Sequence, residues 1–255
     1  MPDPTGAADA AGTASSAEGG SPPDPATIAD LVAARARVLT AIDAACARSG
    51  RDPSGVTLVA VSKTVGASRL RAAVAAGLVT LGENRVQEAE EKIPAVSGAR
   101  WHLVGPLQAN KARRAVALFD VIESVDTLAL AVRVDRLAGE LRPGRPLPVL
   151  VEVNVDADPA KAGFEPLNLA DALPALARLP NLELRGLMTV GRLAPTAEDA
   201  RSTFRALRTL AGEMRAANPV LGPELSMGMS DDYAVAVEEG ATIVRVGRAL
   251  FGERA

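Results

Sequence analysis

The chain has 255 residues, 48% of them hydrophobic, which is enough for one large core and a length at which a single α/β barrel is a common solution. Its 28 Lys+Arg against 31 Asp+Glu leave a net charge of -3, so no general electrostatic attraction draws it to nucleic acid or to an anionic membrane. The single Cys46 excludes an intrachain disulfide framework, and the single His102 leaves no repeated Cys/His spacing for zinc. No apolar run approaches about 18 residues, and no basic start precedes an apolar segment, so neither a membrane helix nor a signal peptide is read. A cytoplasmic, reducing setting is expected.

Residues 1–24 are Ala, Gly, Ser, Pro and Asp with almost no large apolar side chain, and read as a disordered tail ahead of one domain over 25–255. From Thr27, Ile28, Leu31, Val32, Val38, Leu39 and Ile42 recur at helical spacing, with Thr27-x-x-Asp30 as a helix start. Cys46 continues the stripe and reads as a buried, inert thiol; the stem of Arg35 lies along the apolar surface. Leu58 to Val61 form a short β-branched run suited to a strand covered on both faces. A helix over Leu70–Ala76 closed by Gly77 and a strand over Val79–Asn84 follow, and the alternation repeats. Further strands are expected near Trp101–Gly105, Val121–Val125, Val149–Val155, Arg185–Val190, Glu224–Ser230 and Thr242–Gly247. Helical patterns separate them, such as Leu169–Leu179 and the Phe204, Leu207, Leu210, Ala211, Met214 stripe behind a Thr196-x-x-Asp199 cap. Eight strands alternating with helices give the expected fold, a parallel (β/α)8 TIM barrel from about Val56 to Gly252.

In such a barrel the C-terminal ends of the strands form the site. Lys63 follows strand one, where an amine can form a Schiff base with a carbonyl compound; taken alone, a strand-end lysine more often snorkels into solvent. Asn84 ends strand two, His102 and Gly105 belong to strand three, Asn154 and Asp156 to strand five, and Met188 and Thr189 to strand six. Strand seven runs into Ser226-Met227-Gly228-Met229-Ser230-Asp231-Asp232, and strand eight carries Arg245-Val246-Gly247-Arg248. Small residues there suit a phosphate cradle, with a helix beginning near Asp231 aimed at it. An amine facing a phosphate cradle suggests pyridoxal 5′-phosphate (PLP), although other phosphorylated carbonyl ligands fit as well. Asp231 and Asp232 read as helix caps, Glu83 and Glu88 as rim and solvent groups, and the Met227 and Met229 side chains as packing. His102 faces either the barrel or its helices, with no partner for a metal.

Ala60-Val61-Ser62-Lys63-Thr64, Gly82-Glu83-Asn84, Val86-Gln87-Glu88, the run Trp101 to Lys111, Gly186-Leu187-Met188-Thr189, Leu225 to Asp232 and Val244 to Gly252 together resemble the YggS/PROSC family of pyridoxal phosphate homeostasis proteins. The resemblance spans roughly residues 30–252. It implies a barrel of the alanine racemase type, PLP held as an internal aldimine on Lys63, and PLP buffering or delivery, possible recipients being apo PLP-dependent enzymes. It further implies that Asn84 lies beside the cofactor, that Ser230 and backbone Gly247 touch the phosphate with Ser226 and Met227 nearby, and that Arg245 faces the pyridine nitrogen. Arginine has donors only and cannot accept a ring proton, which suits storage better than carbanion chemistry. The chain departs from the family pattern at Thr64-Val65-Gly66, at Arg85 and at Arg248, whose guanidinium is a candidate for an added phosphate bond. The alternative is a PLP-dependent amino-acid racemase, disfavoured because related racemases take a second acid/base from an additional β domain that this sequence is too short to include. A monomer without catalytic turnover is the resulting expectation.

Overall fold

A short apolar segment that must pair every backbone N–H and C=O without reaching water finds partners on both sides only inside a sheet. In the computed structural model, which describes residues 23–191 and 195–252, eight such segments meet this need by closing on one another. They are β1 (Thr57–Val61), β2 (Thr80–Glu83), β3 (Arg100–Leu103), β4 (Val121–Val125), β5 (Leu147–Glu152), β6 (Leu182–Met188), β7 (Glu224–Ser226) and β8 (Ile243–Val246). All neighbours are parallel in sequence order, and β8 returns to β1 with Val59 opposite Arg245. The expected barrel is therefore the observed one. β1 and β4 end where the sequence suggests, while the other strands stop short at their C-terminal ends, most of all β7, where Met227 to Ser230 are loop and not strand.

Alternation along each strand divides the side chains into two sets. Outward residues such as Ala60, Leu81, Leu103, Ile122, Val149, Leu187 and Val244 join the helices in one continuous core. Inward residues Val59, Val104, Val121, Leu150, Met188 and Ile243 form a second, smaller cluster that fills the barrel. Each such side chain fully withdrawn from water stabilises the fold by about 1.5–3 kcal/mol. The larger outer cluster shows that most of this stabilisation lies between sheet and helices.

Helix α1 (Pro25–Ser49) lies outside the βα repeat. Asp24 caps it, its carboxylate accepting from the N–H groups of Ala26 and Thr27, so the cap is three residues earlier than the Thr27-x-x-Asp30 reading. Leu31, Ala34, Val38, Ile42, Ala45 and Cys46 are buried, while Val32, placed on the same stripe from the sequence, is 49% exposed. Gly50 ends the helix in the left-handed region, which a Cβ would disfavour. The tail reading falls, for residues 1–22, outside the described residues. Helix α2 (Ala67–Ala75), α3 (Val86–Lys92), α4 (Ala112–Leu118), α5 (Leu128–Leu141), α6 (Pro166–Leu176), α7 (Arg201–Ala217), α8 (Tyr233–Glu238) and α9 (Arg248–Phe251) complete the ring. Thr196 and Asp199 bond reciprocally ahead of α7 as a capping box. Among the described residues, no helix is long and apolar enough to cross a membrane.

Candidate functional site

The strand alternation decides what reaches the barrel mouth. Val61 and Gly82 belong to the inward set, the latter because a Cβ there would meet Val59 Cγ1 at 2.7 Å. Two residues on, Lys63 and Asn84 have the same parity and emerge half-buried at the C-terminal rim of β1 and β2. Lys63 has no hydrogen-bond or ion-pair partner among the described residues, so its amine is not held by a neighbouring carboxylate. Gly105 presses against Asn84, since a Cβ on it would stand 2.4 Å from the Asn84 carbonyl oxygen.

Arg245, inward on β8 and 4% exposed, occupies the floor of this mouth. Its Nη1 donates to Ser226 Oγ at 2.5 Å and its Nη2 to the Thr189 carbonyl at 2.8 Å. Ser226 Oγ passes a hydrogen bond on to Glu123 Oε2 at 2.5 Å, and Glu123 Oε1 faces His102 Nδ1 at 2.6 Å. A four-residue polar chain drawn from β8, β7, β4 and β3 thus crosses the barrel interior. Burial pushes the Glu123 carboxyl up, but His102, Arg245 and Ser226 outweigh it and hold the group below the usual carboxylate range. Burial likewise pulls the Arg245 guanidinium down, against the charges of Glu123, Glu152 and Asp232. His102 therefore faces the barrel, and among the described residues its buried Nε2 has no hydrogen-bond partner. No group of three or more potential ligands for a metal occurs among the described residues.

Next to β1, beyond the ends of β7 and β8, Ser230 and Gly247 come together: the Gly247 N–H donates to Ser230 Oγ at 3.2 Å. A Cβ on Gly247 would lie 3.3 Å from the Val61 carbonyl, and one on Gly228, at φ 91°, only 2.5 Å from Ala236 Cβ. These glycines leave backbone open where a side chain would fill the space. The donor set of hydroxyl, backbone N–H, free amine and buried guanidinium fits an anionic, aldehyde-bearing aromatic ligand such as PLP.

Several expectations change at this point. The α8 helix begins at Tyr233 with Asp232 at its N-cap position, but the Asp232 carboxylate makes no capping bond into the helix and accepts instead from the Met229 N–H behind it at 2.6 Å. The Arg248 guanidinium pairs with the Asp231 carboxylate on an exposed edge. Met227 is fully buried in the helix-side core and gives its N–H to the Ile243 carbonyl, which leaves that donor committed. Glu83 is not a rim group but completely buried. The sequence reading missed Glu123 and Glu152; a carboxylate amid Val121-Ile122-Glu123-Ser124-Val125 was the signal for the first.

Residues 34–255 match the family model described as alanine racemase, N-terminal domain. A pyridoxal phosphate homeostasis protein from Aquifex aeolicus is 42% identical over 220 residues, covering 86% of this chain and 96% of its own. That of Escherichia coli K12 is 40% identical over 234 residues, covering 88% and 97%. The solved structure of PipY from Synechococcus elongatus with PLP bound is 44% identical, with a TM-score of 0.73, covering 83% of this chain and 100% of that one. An alanine racemase from Clostridium difficile, 15% identical with a TM-score of 0.67 over 89% of this chain and 56% of its own, shares the fold.

Proposed function

Because the chain belongs to the pyridoxal phosphate homeostasis protein family, built on the alanine racemase N-terminal domain, we propose that it binds PLP in the barrel mouth and serves to buffer or deliver it within the cell. The observation that carries this reading is the presence at one barrel mouth of a Lys63 amine with no partner among the described residues and a buried Arg245. When bound, PLP supplies an aldehyde carbon to which an amine nitrogen bonds, the aldehyde oxygen leaving as water with the two amine hydrogens. Lys63 is the residue proposed to supply that nitrogen, and half-burial leaves it open to exchange with amines from solution. Ser230 and the Gly247 N–H are proposed to hold the phosphate, and Asn84 to lie beside the ring.

Arg245 would face the aromatic nitrogen of PLP as a donor. Two of its N–H groups are spent on Ser226 and Thr189, which fixes the guanidinium plane and leaves others free. A group that cannot accept a proton leaves that nitrogen unprotonated, so the site is poor at stabilising carbanions. The barrel thus favours holding and release over turnover, and racemisation is not part of the proposed role. The proposed work is that of a single PLP-binding domain from residue 25 onward.

The absorbance spectrum with added PLP, before and after borohydride, tests the reading. A band that reduction fixes on Lys63, and that Lys63→Ala lacks, is the expected result. Its persistence in Lys63→Ala would displace Lys63 from the role, and no band in either protein would remove PLP from the site.

A further inference from the structure

The same alternation that sends Lys63 and Asn84 into the mouth sends Ser62 and Glu83 backwards, beneath α3. Ser62 and Glu83 are both completely buried, and Lys92, on the last turn of α3, is 9% exposed. The Lys92 ammonium spends its three donors there: on Glu83 Oε1 at 2.7 Å, on the Ser62 carbonyl at 2.9 Å and on Glu88 Oε2 at 3.2 Å. Ser62 Oγ adds a bond to Glu83 Oε1 at 2.7 Å, and Glu88 Oε2 accepts from the Thr64 N–H at 3.1 Å. Thr64 sits at φ 66°, a conformation a β-branched residue adopts only when held. Both peptides that flank Lys63 are therefore bonded to side chains of one helix. The same cluster anchors Glu83, the residue before Asn84.

We propose that Glu88 and Lys92 of α3, acting with Glu83, are positioning residues for Lys63: they fix the peptides on either side of it and so aim its amine into the barrel mouth. The arrangement also selects between the two amines at this strand end. Among the described residues Lys92 is bonded three times and Lys63 has no partner, which leaves Lys63 as the amine available to an aldehyde. The inference rests on the Lys63 reading above.

Lys92→Met leaves Glu83 buried without its cation and endangers folding, so the test uses Glu88, which is half-buried. Mixing wild-type protein, Glu88→Ala and Glu88→Gln with saturating PLP and following the band by stopped flow gives the rate of covalent linkage. Glu88→Ala frees the Thr64 N–H and is expected to slow linkage roughly tenfold, as misplacement of a reacting group does. Glu88→Gln keeps an acceptor for Thr64 and restores the rate to within about twofold. A wild-type rate in Glu88→Ala, or equal slowing in both variants, would overturn the proposal and leave the cluster a packing device. Lys63→Ala measured alongside separates the two readings, because a band surviving in it removes Lys63 from the chemistry whatever Glu88 does.

Discussion

Glu152, the last residue of β5, is 6% exposed at the barrel mouth, and burial pushes its carboxyl up to about 7. The nearby Asp126 carboxylate pushes the same way, and Arg245 partly opposes both. In the unfolded chain the group titrates near 4.5, so between about pH 4.5 and 7 the native state binds the proton that the unfolded state has lost. The sign is then fixed: this group's contribution makes stability fall as pH rises through that window and stay level above it. Glu152→Gln removes the ionisation without changing the shape. Urea unfolding from pH 4 to 9 should show the variant matching wild type at pH 4 and exceeding it above pH 7, by at most about 3 kcal/mol. Equal pH profiles would mean that the folded carboxyl titrates normally.

At the level of elements, β2 and β3 are held by contacts too close for a side chain. Gly105 lies so near Asn84 that Gly105→Ala must move backbone, with an expected loss of about 1–3 kcal/mol and weaker PLP binding through Asn84. Gly212 on the exposed face of α7 has nothing within 4 Å of an added Cβ, so Gly212→Ala should stabilise by about 0.5–1 kcal/mol. Urea titration of both variants with a PLP titration of the first checks the pair; opposite signs are the requirement. The strands themselves were legible because each is a short apolar run between polar turns, which put Lys63 and Asn84 at the rim and Arg245 on the floor beneath it. The interior chain was not legible. His102 and Glu123 meet only because β3 and β4 pair with His102 opposite Val121, a register that no local pattern specifies. Glu83 reads from the sequence as a rim or solvent group, yet its parity is opposite to that of Asn84, and on a barrel strand that outward direction leads under a helix, not into water.

Across the whole molecule, one core runs between the closed sheet and its helices, and α1 is tied into it by its own side chains. Arg51 Nη2 donates to the Ala241 carbonyl at 2.8 Å, and Arg201 bridges α7 to both Glu238 and Glu239. Because the sheet of the described residues is a closed barrel with one dominant core around it, partial unfolding would expose both faces of several strands at once. Unfolding is therefore expected to be a single transition. Trp101, the only tryptophan, is buried on β3 and reports tertiary structure there, while circular dichroism reports all the helices. Their urea midpoints should coincide, and separated midpoints would show that part of the ring melts independently. The strand end at β1 carries a further consequence, for what changes in length the chain can tolerate. Inserting or deleting one residue between Thr57 and Lys63 would exchange the two faces, burying an amine under α3 and presenting the Ser62 hydroxyl to the mouth. The count of residues before the lysine is thus as much a part of the proposed site as the lysine, and the strand can be edited in length only in steps of two.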